Sequence, residues 1–126
     1  MLATILFSAS CKKQDQCVAH AGGNLNLKVF FLHRSSYLVS LKNYRDTVYV
    51  KFNVQDFPGI EPSDYDETFF GEVDSDYVLI PNVSCGNYFI YGVAMDPYHF
   101  SRVTGGIPWS TDQAEGETSV TIPLTE

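Results

Sequence analysis

The sequence predicts an all-β protein, a Greek-key β-sandwich of about seven strands. Three observations carry that expectation. Apolar and polar residues alternate in short runs, as in Leu25, Leu27, Val29 and Phe31 and again in Val48, Val50, Phe52 and Val54, the two-residue period of a half-buried strand. Turn formers interrupt the chain every 8 to 15 residues or so, the rhythm of a sandwich. No stretch keeps apolar residues at helical spacing for more than a turn or two.

With 126 residues the chain fits one domain, large enough to bury a core. The net charge of −7 argues against nucleic acid as a partner, because phosphate binding needs a cationic patch that releases counterions. Here the lysines and arginines are scattered, and Lys12-Lys13 is the one adjacent pair.

In chain order, residues 1–10 read as the end of an export signal. An apolar run, Leu2 to Phe7, leads into the small residues Ser8-Ala9-Ser10 before Cys11. Small residues ahead of a cysteine suit a lipoprotein signal peptidase, which makes Cys11 the lipidated first residue of the mature protein. Ser8 departs from the usual Leu or Val, and the positively charged leader is missing, so the start is expected to be set too far downstream. The apolar run is far shorter than the ~20 residues of a membrane span. Residues 11–24 are polar, with Gly22-Gly23 near the end, and read as a lipidated N-terminus and tether. The sandwich is expected over residues 25–126.

Within it, strands are expected at 25–32, 47–54, 68–73, 77–80, 88–95 and 117–124, with a further short edge strand near Tyr37 to Leu41. A single helical turn fits Pro62 to Asp66, with Glu61 or Ser63 near its start. The most apolar stretch is 88–95, greasy on both faces and therefore central in a sheet and covered on both sides. With 77–80 and a turn at 81–87 it reads as a central hairpin, Gly86 and Asn87 supplying backbone tolerance. Asp96-Pro97 stops the strand. Residues 98–110 read as a loop with aromatic content and a Gly105-Gly106 pair, with room for a short strand starting at Val103, and Pro123 marks an edge.

The segment Tyr77-Val-Leu-Ile-Pro-Asn-Val-Ser-Cys-Gly-Asn-Tyr-Phe-Ile-Tyr-Gly-Val resembles the signature of transthyretin-like (prealbumin-like) and carboxypeptidase-regulatory-like sandwiches. Gly86 and Tyr88 stand at the glycine and tyrosine of that pattern. Over residues 11–126 the chain is also similar to small lipoproteins of Bacteroidetes-type bacteria. The matching stretches are Leu25-Asn-Leu-Lys-Val with His33, Val48-Tyr-Val-Lys-Phe-Asn, Asp56-Phe-Pro-Gly, Tyr65-Asp, Arg102-Val-Thr-Gly-Gly-Ile-Pro and Thr121-Ile-Pro-Leu-Thr-Glu. The resemblance implies a sandwich and an anchor, and no activity. Transthyretin-related hydrolases of urate breakdown end in Tyr-Arg-Gly-Ser; this chain ends Pro-Leu-Thr-Glu, and that activity does not transfer.

Candidate sites follow from residue type. Cys17 and Cys85 are candidates for a disulfide in an exported protein, with two free thiols as the alternative. His20, His33 and His99 share no motif spacing with one another or with a cysteine, so no metal or catalytic site is expected from them. Asp64, Asp66, Asp74 and Asp76 alternate as weak calcium candidates; solvated turn residues are the competing reading. Tyr91, Tyr98, Phe100 and Trp109 are candidates for stacking on sugar rings, against a role in packing. No nucleophile or phosphate-loop motif occurs, and no cofactor is expected.

The functional expectation is a non-enzymatic lipoprotein, a binding or structural module of the bacterial cell envelope, lipid-anchored at the outer membrane on its periplasmic or surface face. One alternative is a surface carbohydrate- or peptide-binding protein using the 98–109 loop. The other is an enzyme with a site assembled from distant loops.

Overall fold

The computed structural model describes residues 17–126. The expected signal segment, Cys11 and Lys12-Lys13 lie outside the described residues. The described chain is all-β, a sandwich of two sheets. Its strands are β1 (Ala21–His33), β2 (Ser36–Tyr37), β3 (Thr47–Phe52), β4 (Glu67–Phe70), β5 (Tyr77–Val83), β6 (Gly86–Asp96), β7 (Ser101–Thr111) and β8 (Glu115–Pro123). One sheet is built on β1, which pairs antiparallel with β2 and β5 and parallel with β8. The other runs β4-β3-β6-β7, antiparallel throughout. This division differs from the immunoglobulin arrangement, in which the first, second, fourth and fifth strands share a sheet.

The core lies between the sheets. Leu25, Leu27, Val29 and Phe31 of β1 are buried, as alternation requires, against Val48 and Val50 of β3, Val78 and Ile80 of β5, and Ile90 and Ala94 of β6. Each such side chain removed from water contributes ~1.5–3 kcal/mol. Gly92 belongs to this packing: a Cβ there would stand 2.5 Å from Cε1 of the buried Phe31 ring.

Strand β6 is central and buried on both faces, as its composition predicts. Its outer face, Phe89, Tyr91 and Val93, forms a second small core with Tyr65. The segment between β3 and β4 folds over that face. Tyr65 stacks on Tyr91 at 5.9 Å, Phe57 packs on Phe89 and Tyr91, and the Tyr65 hydroxyl donates to Gly59 O at 2.8 Å. The expected helical turn is a 3-10 turn at Pro62–Asp64, closed by the Glu61 N–H donating to Asp64 Oδ2 at 3.0 Å.

Three local expectations are corrected. First, β5 and β6 are not a hairpin: β5 pairs with β1, and β6 pairs with β3 and β7. Strand β5 runs through Pro81, and the chain crosses between the sheets at Ser84-Cys85. Pro81 is tolerated because β5 is an edge strand, where a missing ladder donor costs little. Second, residues 101–111 are a strand and not a loop. The glycines that suggested a loop allow close approach instead: Cβ atoms on Gly105 and Gly106 would meet the Pro123 carbonyl and the Phe89 ring. Third, β1 begins at Ala21 and Ala19 is buried. Residues 17–24, expected in the tether, are therefore packed on the sandwich.

Candidate functional site

The two ends of β6 carry the chemistry. At its start, Cys17 and Cys85 form a disulfide with Cα atoms 5.0 Å apart. Ser84 secures the same junction. Its hydroxyl donates to Val18 O at 2.8 Å and accepts from the His20 N–H at 3.0 Å, while the Tyr88 hydroxyl donates to Ser84 O at 2.7 Å. Gly86 has φ of +148° and lies against the Ala19 backbone, so a side chain there is excluded both by conformation and by space.

At the other end, Asp96 closes β6 and is 2 % exposed. The Asp-Pro step that ends the strand also forms a turn. Asp96 Oδ1 accepts the backbone N–H of Tyr98 at 2.8 Å and of His99 at 3.3 Å, the local bonding that makes Asp a turn former. Oδ2 faces two imidazoles: His33 Nδ1 at 2.5 Å and His99 Nδ1 at 3.0 Å. His33 ends β1 and is buried, so this contact joins the two sheets. The His33 and His99 rings are edge to face at 6.0 Å. His33 Nε2 lies 4.0 Å from Glu126 Oε2, and Glu126 is held by Arg34 at 2.7 Å.

Burial alone pushes the Asp96 carboxyl upward. Hydrogen bonds from the His33 and His99 side chains and from the Tyr98 and His99 N–H groups outweigh it and hold the group below the usual carboxylate range. Asp46 is the contrasting buried acid. Its Oδ1 has no hydrogen-bond partner among the described residues, and burial pushes its carboxyl up to about 7.

All three histidines are hydrogen-bonded, and without any shared motif spacing two of them meet on one carboxylate, while His20 stays exposed with Nδ1 2.6 Å from Ala21 O. The signal lay in Asp96-Pro-Tyr-His99, whose i, i+3 spacing lets an aspartate turn bring a following imidazole back onto its own carboxylate. Nothing in the sequence marks His33 as its third member.

The aromatic candidates do not form one site. Tyr91 is buried in the outer core, and Trp109 lies on β7, packed on Tyr88 at 5.6 Å. Only Tyr98 and Phe100 stand out, 77 % and 87 % exposed, on the short turn between β6 and β7. Trp109 instead lines a narrow apolar cleft with Leu27, Phe52, Phe69, Ile80 and Tyr88. Its free volume is about 20 Å³, room for about one water. Of the calcium candidates, Asp64 closes the 3-10 turn, and Asp66 accepts the Phe52 N–H at 2.8 Å and pairs with Lys51 at 3.5 Å. Asp74 takes positive φ in the turn before β5. None of the four joins a cluster of metal-ligating side chains among the described residues.

Comparison with protein-family models, with curated proteins and with solved structures finds no match in any of the three.

Proposed function

We propose that this protein is a lipid-anchored, non-enzymatic module of the bacterial cell envelope. It is held at the outer membrane through Cys11, and its transthyretin-like sandwich presents one end to a glycan or protein partner. The observation that carries this reading is the Cys17–Cys85 disulfide. Disulfides persist in exported proteins and are rare in reducing compartments, and this one follows closely on the small-residue stretch before Cys11. The bridge also gives the module a direction. It ties the anchored side of the chain to the start of β6, and that 11-residue strand spans about 33 Å. Tyr98 and Phe100 lie at its far end. Two exposed rings on a short turn suit stacking on a sugar or insertion into a protein groove.

The test is expression in a Gram-negative host of residues 2–126 behind a positively charged leader, which leaves the stretch before Cys11 unchanged. Acylated Cys11, membrane fractionation and globomycin-sensitive processing are expected, and Cys11→Ser releases the protein to the soluble fraction. A soluble wild-type protein with an unmodified Cys11 would overturn the anchor. For the binding end, Tyr98→Ala with Phe100→Ala should abolish glycan-array or partner binding while leaving the unfolding midpoint unchanged. Binding that survives the double substitution removes this end from consideration.

A further inference from the structure

His33, Asp96 and His99 carry an inference that does not depend on the anchor. We propose that these three side chains bind a first-row divalent cation, zinc above all, with one coordination position left open to water or to a donor from a partner.

The donor atoms are already gathered. One ring nitrogen each of His33 and His99 and a carboxylate oxygen of Asp96 lie within 4.8 Å of one another. Zinc holds such ligands at about 2.0–2.1 Å, which in a tetrahedral shell sets neighbouring donors roughly 3.3 Å apart. The present spacings, 2.5 and 3.0 Å from Oδ2 to the two nitrogens, need only a slight opening. His99 can provide it, because it sits on the turn and its side chain is 43 % exposed. Two imidazoles and one carboxylate select zinc and its first-row neighbours over calcium or magnesium, which take oxygen ligands.

The groups behind the donors are arranged as a metal site requires. Ligating side chains are normally oriented by outer partners. Asp96 Oδ1 is occupied by the Tyr98 and His99 N–H groups, which leaves Oδ2 directed at the imidazoles. Behind His33, Nε2 faces the Glu126 carboxylate, itself fixed by Arg34.

A second, independent observation concerns Ser101. Its Oγ is buried and has no hydrogen-bond partner among the described residues. Ser101 is the β7 residue directly opposite Asp96, so the two side chains share a face, with Cβ atoms ~5 Å apart. A buried hydroxyl without a partner is unfavourable, because it has given up its bonds to water and gained none in return. Water on the open coordination position would supply what it lacks.

The test uses the untagged full chain, stripped with chelator and dialysed against zinc. One zinc per chain is expected, along with a rise in unfolding midpoint of about 5–10 °C at a hundredfold excess over Kd. Cobalt(II) should give the visible bands of a four-coordinate N/O site. His99→Ala changes a surface turn residue and should keep the fold while weakening zinc binding at least tenfold; His20→Ala should leave binding unchanged. Ser101→Ala should retain the stoichiometry. No zinc bound, or binding unaffected by His99→Ala, overturns the proposal and leaves a hydrogen-bonded His–Asp–His cluster only.

Discussion

His33 and Asp96 end two strands that belong to different sheets, and they meet with Nδ1 2.5 Å from Oδ2. The contact lies inside the sandwich end, at 5 % and 2 % side-chain exposure. A buried carboxylate held by two imidazoles, His33 at 2.5 Å and His99 at 3.0 Å, is sensitive to loss of the carboxylate or of its buried partner, because what remains is a desolvated charge or an unpaired donor.

Asp96→Ala should therefore destabilise the protein by about 3 kcal/mol, and Asp96→Asn by less, since the amide retains an acceptor for the Tyr98 N–H. Denaturant unfolding of the variants at pH 7 measures both. A loss under ~0.5 kcal/mol for the alanine variant would show that the contact does not hold the sheets together.

Asp46 makes stability fall as pH rises. Its folded value of about 7 lies above the ordinary carboxyl value of about 3.9. Below both values the group is protonated in folded and unfolded chains alike, and it makes no pH-dependent contribution. Between them the unfolded chain ionises first, which favours unfolding. The cost grows from about pH 4 and is complete above about pH 7, on the order of 2–4 kcal/mol. Among the described residues no cation pairs with it: the neighbouring Arg45 donates its Nε–H to Gly71 O at 2.6 Å. Asp46→Asn should flatten this slope and be more stable than wild type at pH 8. Thermal unfolding from pH 4.5 to 8 reads the difference.

Reduction of Cys17–Cys85, or its replacement by serines, should cost about 4 kcal/mol in the chain-entropy description of a loop with sequence separation 68. Residues 17–20 should become protease-sensitive, because the bridge and the Ser84 hydroxyl are their main attachments. Comparison of denaturation midpoints with and without reductant, together with limited proteolysis, provides the check.

Gly92→Ala should destabilise by about 1–3 kcal/mol. The added methyl would meet the Phe31 ring, which is 1 % exposed and has nowhere to go. Phe31→Leu in the same chain should recover part of the loss, a coupling that a double-mutant cycle reports directly.

Much of the fold is legible in the sequence, and the exceptions have physical causes. Alternation alone locates the inner faces of β1 and β3, and continuous apolarity locates β6, because burial on one or two faces leaves that pattern directly. Strand β7 is hidden because Gly105, Gly106 and Pro108 are poor strand formers by propensity. Its neighbours decide otherwise: rings and a carbonyl stand where side chains would be. The crossing at Ser84-Cys85 resembles a hairpin because a chain reversal has the same local chemistry whether the next strand pairs beside the last or in the opposite sheet. The His33–Asp96–His99 cluster is only half legible. Asp96 and His99 are linked by turn geometry, whereas His33 arrives from another sheet, and no local pattern reports that meeting.

The parallel pairing of β1 with β8 has a consequence for timing. Strand β1 lies between partners, and one flank of it stays bare until the most C-terminal strand is available. Contacts this distant in the chain are slow to form, since loop closure precedes any reward. A sandwich built from its N-terminal side therefore stays incomplete until β8 has been delivered. That order of events makes docking of β8 the closing step of assembly and leaves one flank of β1 open to a competing strand until then.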